Sequence, residues 1–324
     1  MMTNKRIINL VLIPVFSVIS FLAFSQPVPW KNSEEVILKT ATGNICGTLI
    51  VPFAGKRIPV VLIIAGSGPT DRNGNNPMMT NNSLKMTAEA LSEKGIASLR
   101  YDKRGIAKSE KAGNDESALR FENYIDDASG WIKMLKKDNR FGKVIVLGHS
   151  EGSLIGMIAA RKSGADAFIS VSGAGKPADE ILKEQLKTQP SYVKDLAFPI
   201  IDKLKKGDTV ANVNPLLNSL FRPSVQPYLI SWFKYNPAKE IKKLNIPVLI
   251  IQGTTDIQVK VGDAELLKKG DKKAKLVIID GMNHILKEAP ANKEENIETY
   301  DNAGLPLHPE FIKTVAEFIN SLQK

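Results

Sequence analysis

Ser150 stands in Gly148-His149-Ser150-Glu151-Gly152, directly after the apolar run Lys143 to Leu147 and before a helical pattern, Gly152 to Lys162. A strand, a sharp turn and a helix in that order lift a serine hydroxyl clear of a sheet. The flanking glycines leave space that a Cβ would fill. A serine hydroxyl is a poor nucleophile at its own pKa and needs an imidazole to take its proton. The chain holds three histidines. His149 lies inside the turn and points the wrong way to serve its neighbour. His308 precedes the last helical pattern, where a capping or surface role explains it. His284 follows the strand Lys275 to Ile279 in Gly-Met-Asn-His, at the carboxyl end where α/β sheets keep reactive groups. The base needs an orienting carboxylate. Asp256 closes Gly-Thr-Thr-Asp after the strand Pro247 to Gln252, again at a carboxyl end; taken alone it reads as a loop or N-cap acid. Asp280, at the end of its strand, is the runner-up.

A second loop bears on the same chemistry. The apolar run Ile58 to Ala65 feeds into Gly66-Ser67-Gly68, a glycine pattern that can cradle a dinucleotide or hold an oxyanion. A phosphate loop wants a third glycine and an immediate helix, so that the helix N-terminus meets the anion. Here Asp71 occupies the third-glycine position, Pro69 lacks an N–H, and no helical pattern begins before about Ser83. An oxyanion role fits better. It assigns the backbone N–H of Glu151, after the nucleophile, and one from this loop, Ser67 or Gly68. Asp71 and Arg72 read as a pair that holds the loop in shape. In Tyr101 to Ser109, Asp102 and Arg104 can pair or bond backbone groups, and Gly105 permits a tight turn.

The elements that must position these groups alternate. Val36 to Lys39 and Ile45 to Val51 read as strands joined at Thr-Gly-Asn, a hairpin. Ile58 to Ala65 is apolar on both faces, as a central parallel strand is. Ser83 to Lys94 reads as a helix with Ser83 a possible cap and Gly95 its stop. Strands follow at Ala97 to Tyr101, Lys143 to Leu147 and Ala167 to Val171, with helices at Tyr124 to Lys137 and Gly152 to Lys162. After residue 240 come Pro247 to Gln252, Gly262 to Lys269, Lys275 to Ile279 and Glu310 to Leu322. This implies a doubly wound, mostly parallel α/β sheet, built from residues 26–175 and 241–324. Residues 176–240 have helical patches, several prolines and no clear strand, and read as an inserted helical cap. Phe221, Tyr228, Trp232, Phe233 and Tyr235 lie there. Tyr228 and Trp232, four apart, share a helix face; they pack the cap's core, and part of that face can roof an apolar pocket.

The order Ser150, Asp256, His284 is that of α/β-hydrolases and not of chymotrypsin or subtilisin. From about Val36 onward the chain resembles the serine esterase and serine-aminopeptidase-like group of that superfamily. The resemblance rests on GSGPTDRNGN, LRYDKRGIAKS, GHSEG, LFRPSVQPYLISWFKYNP, IQGTTDIQV and GMNH. Two of these strings, GSGPTDRNG and LFRPSVQPYLISWFKY, resemble a bacterial subgroup described as esterases. The resemblance implies hydrolysis of small carboxylic esters without a cofactor or metal, with nucleophile, acid and base at Ser150, Asp256 and His284. An aminopeptidase on the same fold would need acids to bind an α-ammonium; the cap's Asp179, Glu180 and Glu184 read as helix-surface charges. A non-catalytic binding protein is the third reading, since fold does not guarantee activity. Haloalkane dehalogenase chemistry would need a carboxylate at position 150.

Residues 1–25 differ from the rest. Lys5 and Arg6 precede an apolar run to Phe24, and Ala23-Phe24-Ser25 offers small residues at a cleavage site. This is the pattern of a secretory signal peptide and implies an exported, periplasmic or extracellular protein; a retained anchor is the alternative. The single Cys46 allows no internal disulfide, so the fold must stand on its core. In its strand context Cys46 reads as a small buried residue. Net charge is +10, but the basic residues are interleaved with acids and form no stripe with aromatics, which argues against nucleic acid as a partner.

Overall fold

A computed structural model describes residues 33–52, 57–113 and 115–323. The expected signal segment, 1–25, lies outside the described residues. No described helix is long and apolar enough to cross a membrane.

Eight strands form one sheet: β1 (Ser33–Thr40), β2 (Gly43–Ile50), β3 (Ile58–Ile64), β4 (Ala97–Tyr101), β5 (Phe141–His149), β6 (Ala167–Val171), β7 (Val248–Gly253) and β8 (Lys275–Ile279). Their order is β1-β2-β4-β3-β5-β6-β7-β8. β1 with β2 and β2 with β4 are antiparallel; every other neighbouring pair is parallel. The parallel order explains the apolar runs. Every residue of β3 is buried, because helices cover both faces of the sheet. Successive side chains go to opposite faces: Val60, Leu62 and Ile64 join one core cluster, while Val61, Ile63 and Ala65 join the other.

Four long helices supply the covering. α1 (Ser83–Glu93), α2 (Phe121–Lys137) and α3 (Glu151–Ser163) follow β3, β4 and β5. Between β6 and β7 the described residues form only helices: α4 (Ala178–Leu186), α5 (Ser191–Lys206), α6 (Asn218–Phe221), α7 (Gln226–Trp232) and α8 (Pro237–Ile241), with short 3₁₀ turns. α9 (Val261–Gly270) joins β7 to β8, and α10 (Lys293–Glu298) and α11 (Pro309–Ser321) end the chain. α2 and α3 pack on one face through Trp131, Ala128 and Ile155. α1 and α11 pack on the other through Leu84, Leu91, Phe311 and Val315.

Several local expectations are corrected. The hairpin turns at Ala41-Thr42, since Thr40 pairs with Gly43; Gly43 and Asn44 already belong to β2. Asn82, in the left-handed region at φ 55, is the N-cap of α1, and Ser83 is its first helical residue. Cys46 is half-buried rather than buried, with Sγ beside the Lys108 carbonyl.

Candidate active site

The parallel strands point their carboxyl ends one way, and the loops leaving β3, β5, β7 and β8 carry the groups in question. Ser150 is the hinge between β5 and α3. Its φ of 54° and ψ of −121° lie where L-residues are rare, a strain that clusters at functional sites. The flanking glycines are required by contact. A Cβ on Gly148 would strike the Gly152 carbonyl, and one on Gly152 would strike the Ile64 carbonyl and lie 2.7 Å from that of Ala65. The turn therefore presses directly on the end of β3. Gly152→Ala is expected to cost about 2–4 kcal/mol through forced displacement of that strand end. A urea midpoint equal to that of the unmodified protein would refute this packing.

Asp256, in the loop after β7, and His284, in the loop after β8, meet at 2.8 Å between Oδ2 and Nδ1. Asp256 is 2 % exposed. Its Oδ1 accepts the N–H groups of Gln258 (2.8 Å) and Val259 (2.9 Å), and Oδ2 also accepts from Gln252 Nε2 (3.0 Å). Burial pushes its pKa up, but His284 and these backbone donors outweigh burial and bring it to about 2. Asp256 is thus an anion held in place by four donors. Asp280, the runner-up, is exposed and accepts from Thr254 Oγ1 instead.

The other two histidines have distinct places. His149 is buried against His284, ring to ring at 4.8 Å, and its Nε2–H donates to the His284 carbonyl at 2.8 Å. Burial first, then the nearby His284, lowers its pKa to about 3. It is a neutral brace for the His284 backbone, a role that its place within the elbow does not disclose. His308 caps α11, its Nδ1 accepting from Glu310 N–H at 3.3 Å.

The loop after β3 comes up beside Ser150. A Cβ on Gly66 would lie 3.1 Å from Ser150 Cβ and 3.6 Å from its Oγ. Ser67 and Gly68 follow, exposed to a cavity, and Gly68 adopts φ 72°. Asp71 and Arg72 do not pair with one another. Asp71 Oδ1 accepts the N–H groups of Asn73 and Asn75, shaping its own turn. Arg72 reaches Asp102 at 2.8 Å and the half-exposed Glu35 at 3.2 Å. Asp102 and Arg104 likewise part company: Arg104 pairs with the buried Asp127. The loops of β3 and β4 are thereby tied by the Arg72–Asp102 contact, which spans two sequence motifs.

A cavity of about 650 Å³ lies between these loops and the helical segment. Ser67, Gly68, Ser150 and Glu151 line one side, and Tyr228 and Trp232 the other. Tyr228 and Trp232 do share a face of α7, with rings 5.8 Å apart. They also pack inward on Phe121, which stacks on Trp232 at 5.9 Å. Phe221 and Phe233 are fully buried, and Tyr235 bonds Glu122. One further cluster, foreshadowed by no sequence pattern, lies beside Ser150. The Glu151 side chain is buried, paired with Lys103 at 2.9 Å and bonded by the Tyr228 hydroxyl.

Residues 80–225 match the family described as serine aminopeptidase, S33. The esterase EstD of Thermotoga maritima is 31% identical over 270 residues, which is 79% of this chain and 62% of that protein; the chain thus spans about three fifths of that relative. Among solved structures, ferulic-acid-bound Est1E of Butyrivibrio proteoclasticus superposes with a TM-score of 0.58 at 18% identity, over 89% of this chain and 97% of that one. The α/β hydrolase GrgF of Penicillium sp. sh18 gives 0.57 at 18% identity, over 89% and 98%. With the fold shared along nine tenths of its length and sequence kinship on both sides of the elbow, the chain has the α/β-hydrolase fold and is similar to the serine esterases and serine-aminopeptidase-like proteins built on it.

Proposed function

We propose that the protein is a serine hydrolase of small carboxylic esters, with Ser150 as nucleophile, His284 as base and Asp256 as its orienting acid. The observation that carries this is the buried Asp256–His284 pair, 2.8 Å apart, on loops at the same sheet edge as the strained Ser150. Asp256 on Nδ1 keeps the proton there, so Nε2 is free to accept one. His284 takes the Ser150 proton as Oγ attacks the ester carbonyl. The developing oxyanion is held by the N–H of Glu151 and one from the Ser67–Gly68 loop. His284, now charged and steadied by Asp256, protonates the leaving alcohol. Water repeats the cycle on the acyl-enzyme. The helical segment 176–240 acts as a cap over the acyl pocket, with Tyr228 and Trp232 on its inner face.

The cavity lining supports an ester over an amino-terminal peptide bond. An aminopeptidase needs a free carboxylate for the α-ammonium. Among the described residues only two acids line the cavity, Glu116 and Glu151, and both are already occupied. Glu116 binds Arg222 and Ser224, while Glu151 binds Lys103 and Tyr228. The rest of the lining is mainly apolar, with Tyr124, Leu154 and Trp232 among it. The test is turnover of nitrophenyl esters from acetate to dodecanoate, with methyl ferulate added because Est1E holds ferulic acid, against a set of aminoacyl-anilides. Esters are expected to turn over, with an optimum chain length that sizes the pocket. Cleavage of the anilides alone would replace the esterase reading by the peptidase one.

A further inference from the structure

Lys103 is 1 % exposed, yet it lies within the wall of the reacting site. Its Nζ donates to the Gly66 carbonyl at 2.6 Å and to Glu151 Oε2 at 2.9 Å, and sits 4.9 Å over the Tyr124 ring. Both partners adjoin the groups that would hold the oxyanion. Gly66 C=O and Ser67 N–H belong to one peptide unit, and in a planar trans peptide they point in opposite directions. A cation fixed on the carbonyl therefore aims the Ser67 N–H the other way. That peptide is next to the nucleophile, because a Cβ placed on Gly66 would lie 3.1 Å from Ser150 Cβ and 3.6 Å from its Oγ. Ser67 also lines the cavity beside Ser150. Among the described residues no protein acceptor takes the N–H of Ser67 or of Glu151.

We propose that Lys103 is a positioning residue of the oxyanion hole. It clamps the Gly66–Ser67 peptide so that the Ser67 N–H, and not that of Gly68, faces the carbonyl oxygen, and it braces Glu151, whose N–H is the second donor. The proposal rests on Ser150 as the nucleophile. Three features separate it from a plain structural ion pair. A buried pair is weak evidence for stability, since apolar residues of like volume often serve as well. Here the ammonium spends one of its hydrogen bonds on a main-chain carbonyl of the reacting loop. An ammonium behind that peptide also polarises it, which strengthens the N–H as a donor. Tyr228 holds the other Glu151 oxygen, so the carboxylate cannot swing into the hole and repel the charge that develops there.

The experiment uses the full chain with Lys103→Met and Glu151→Gln together. The single Lys103→Met would strand a buried carboxylate, whereas the double change leaves two neutral side chains of similar size. Three quantities are read: a melting curve, kcat and KM on the best nitrophenyl ester, and the rate at which a nitrophenyl alkylphosphonate modifies Ser150. A misdirected oxyanion donor is expected to lower kcat about 10- to 100-fold with KM within about twofold. Phosphonylation, which needs the same hole, should slow in parallel. A cooperatively melting double variant whose phosphonylation stays within about threefold of the parent would overturn the proposal. So would a loss carried by KM. Should the double variant not fold, the phosphonyl adduct of the parent protein decides. Its phosphoryl oxygen on Ser67 N–H, with Lys103 still on Gly66, supports the clamp; the oxygen on Gly68 N–H refutes it. A parent protein that is phosphonylated at Ser150 yet turns over no ester would count against the esterase reading, while the Lys103 comparison would still be read from phosphonylation.

Discussion

Ser150→Ala is expected to lower kcat on the best ester by about 10⁴- to 10⁶-fold while leaving the fold intact. On the proposed mechanism the loss is large because no neighbouring group can replace the covalent step. Ser150 makes no side-chain capping bond to α3, so its removal uncaps no helix. Alanine meets the same backbone strain at φ 54° as serine does, so that cost is common to both chains. KM is expected to change little, because the cavity walls that would hold the acyl group are untouched. What remains after the change is the contribution of the oxyanion donors and of substrate positioning. Turnover close to that of the parent protein, with an unchanged melt, would remove Ser150 from the mechanism and leave the strained elbow without a role.

The sequence disclosed what depends on neighbours in the chain. The apolar runs of β3 and β5, the glycines around Ser150 and the placement of Asp256 and His284 after successive strands are all local patterns. In a parallel sheet the ends of those strands must converge. What escaped were pairings made across the fold. Arg72 lies one residue from Asp71 but bonds Asp102, 30 residues away, because the β3 and β4 loops adjoin in the sheet. Lys103 and Glu151 are 48 residues apart and meet only because β3 lies between β4 and β5, so that the loops leaving all three crowd together. An i-to-i+1 pair is a poor guess for two charged side chains on an extended loop, since their side chains diverge. The hairpin turn departs from the sequence expectation for a different reason. Gly43 looked like a turn residue, but it serves as the first residue of β2 against the backbone of Ala112. His149 shows the converse. Its place in the elbow is legible in the chain, but the carbonyl it reaches is defined only once the β8 loop is in place.

Asp256→Asn tests the second half of the mechanism and is expected to cost about 10⁴-fold in kcat. Asparagine keeps an oxygen that can accept from Gln258 and Val259, so the loop has reason to hold its shape. Its amide, however, donates where the carboxylate accepted. Facing Nδ1 of His284, it favours the tautomer with the proton on Nε2, which cannot take a proton from Ser150. It also removes the negative charge that stabilises His284 once protonated. Asp280→Asn, on the exposed neighbour, is the control and should leave turnover unchanged. The stability arm has a definite sign. The folded pKa of Asp256, about 2, is below the ordinary value of about 3.9. Its contribution, on the order of 2 kcal/mol, is therefore fully present above about pH 4 and is lost as pH falls through 2. The stability advantage of the parent over Asp256→Asn should shrink across that window. His149, neutral down to about pH 3, begins to charge only within it and is common to both proteins. An acid limb in the rate profile at higher pH therefore cannot come from His149. Full activity in Asp256→Asn would mean that another group orients His284, and the buried pair would then be structural.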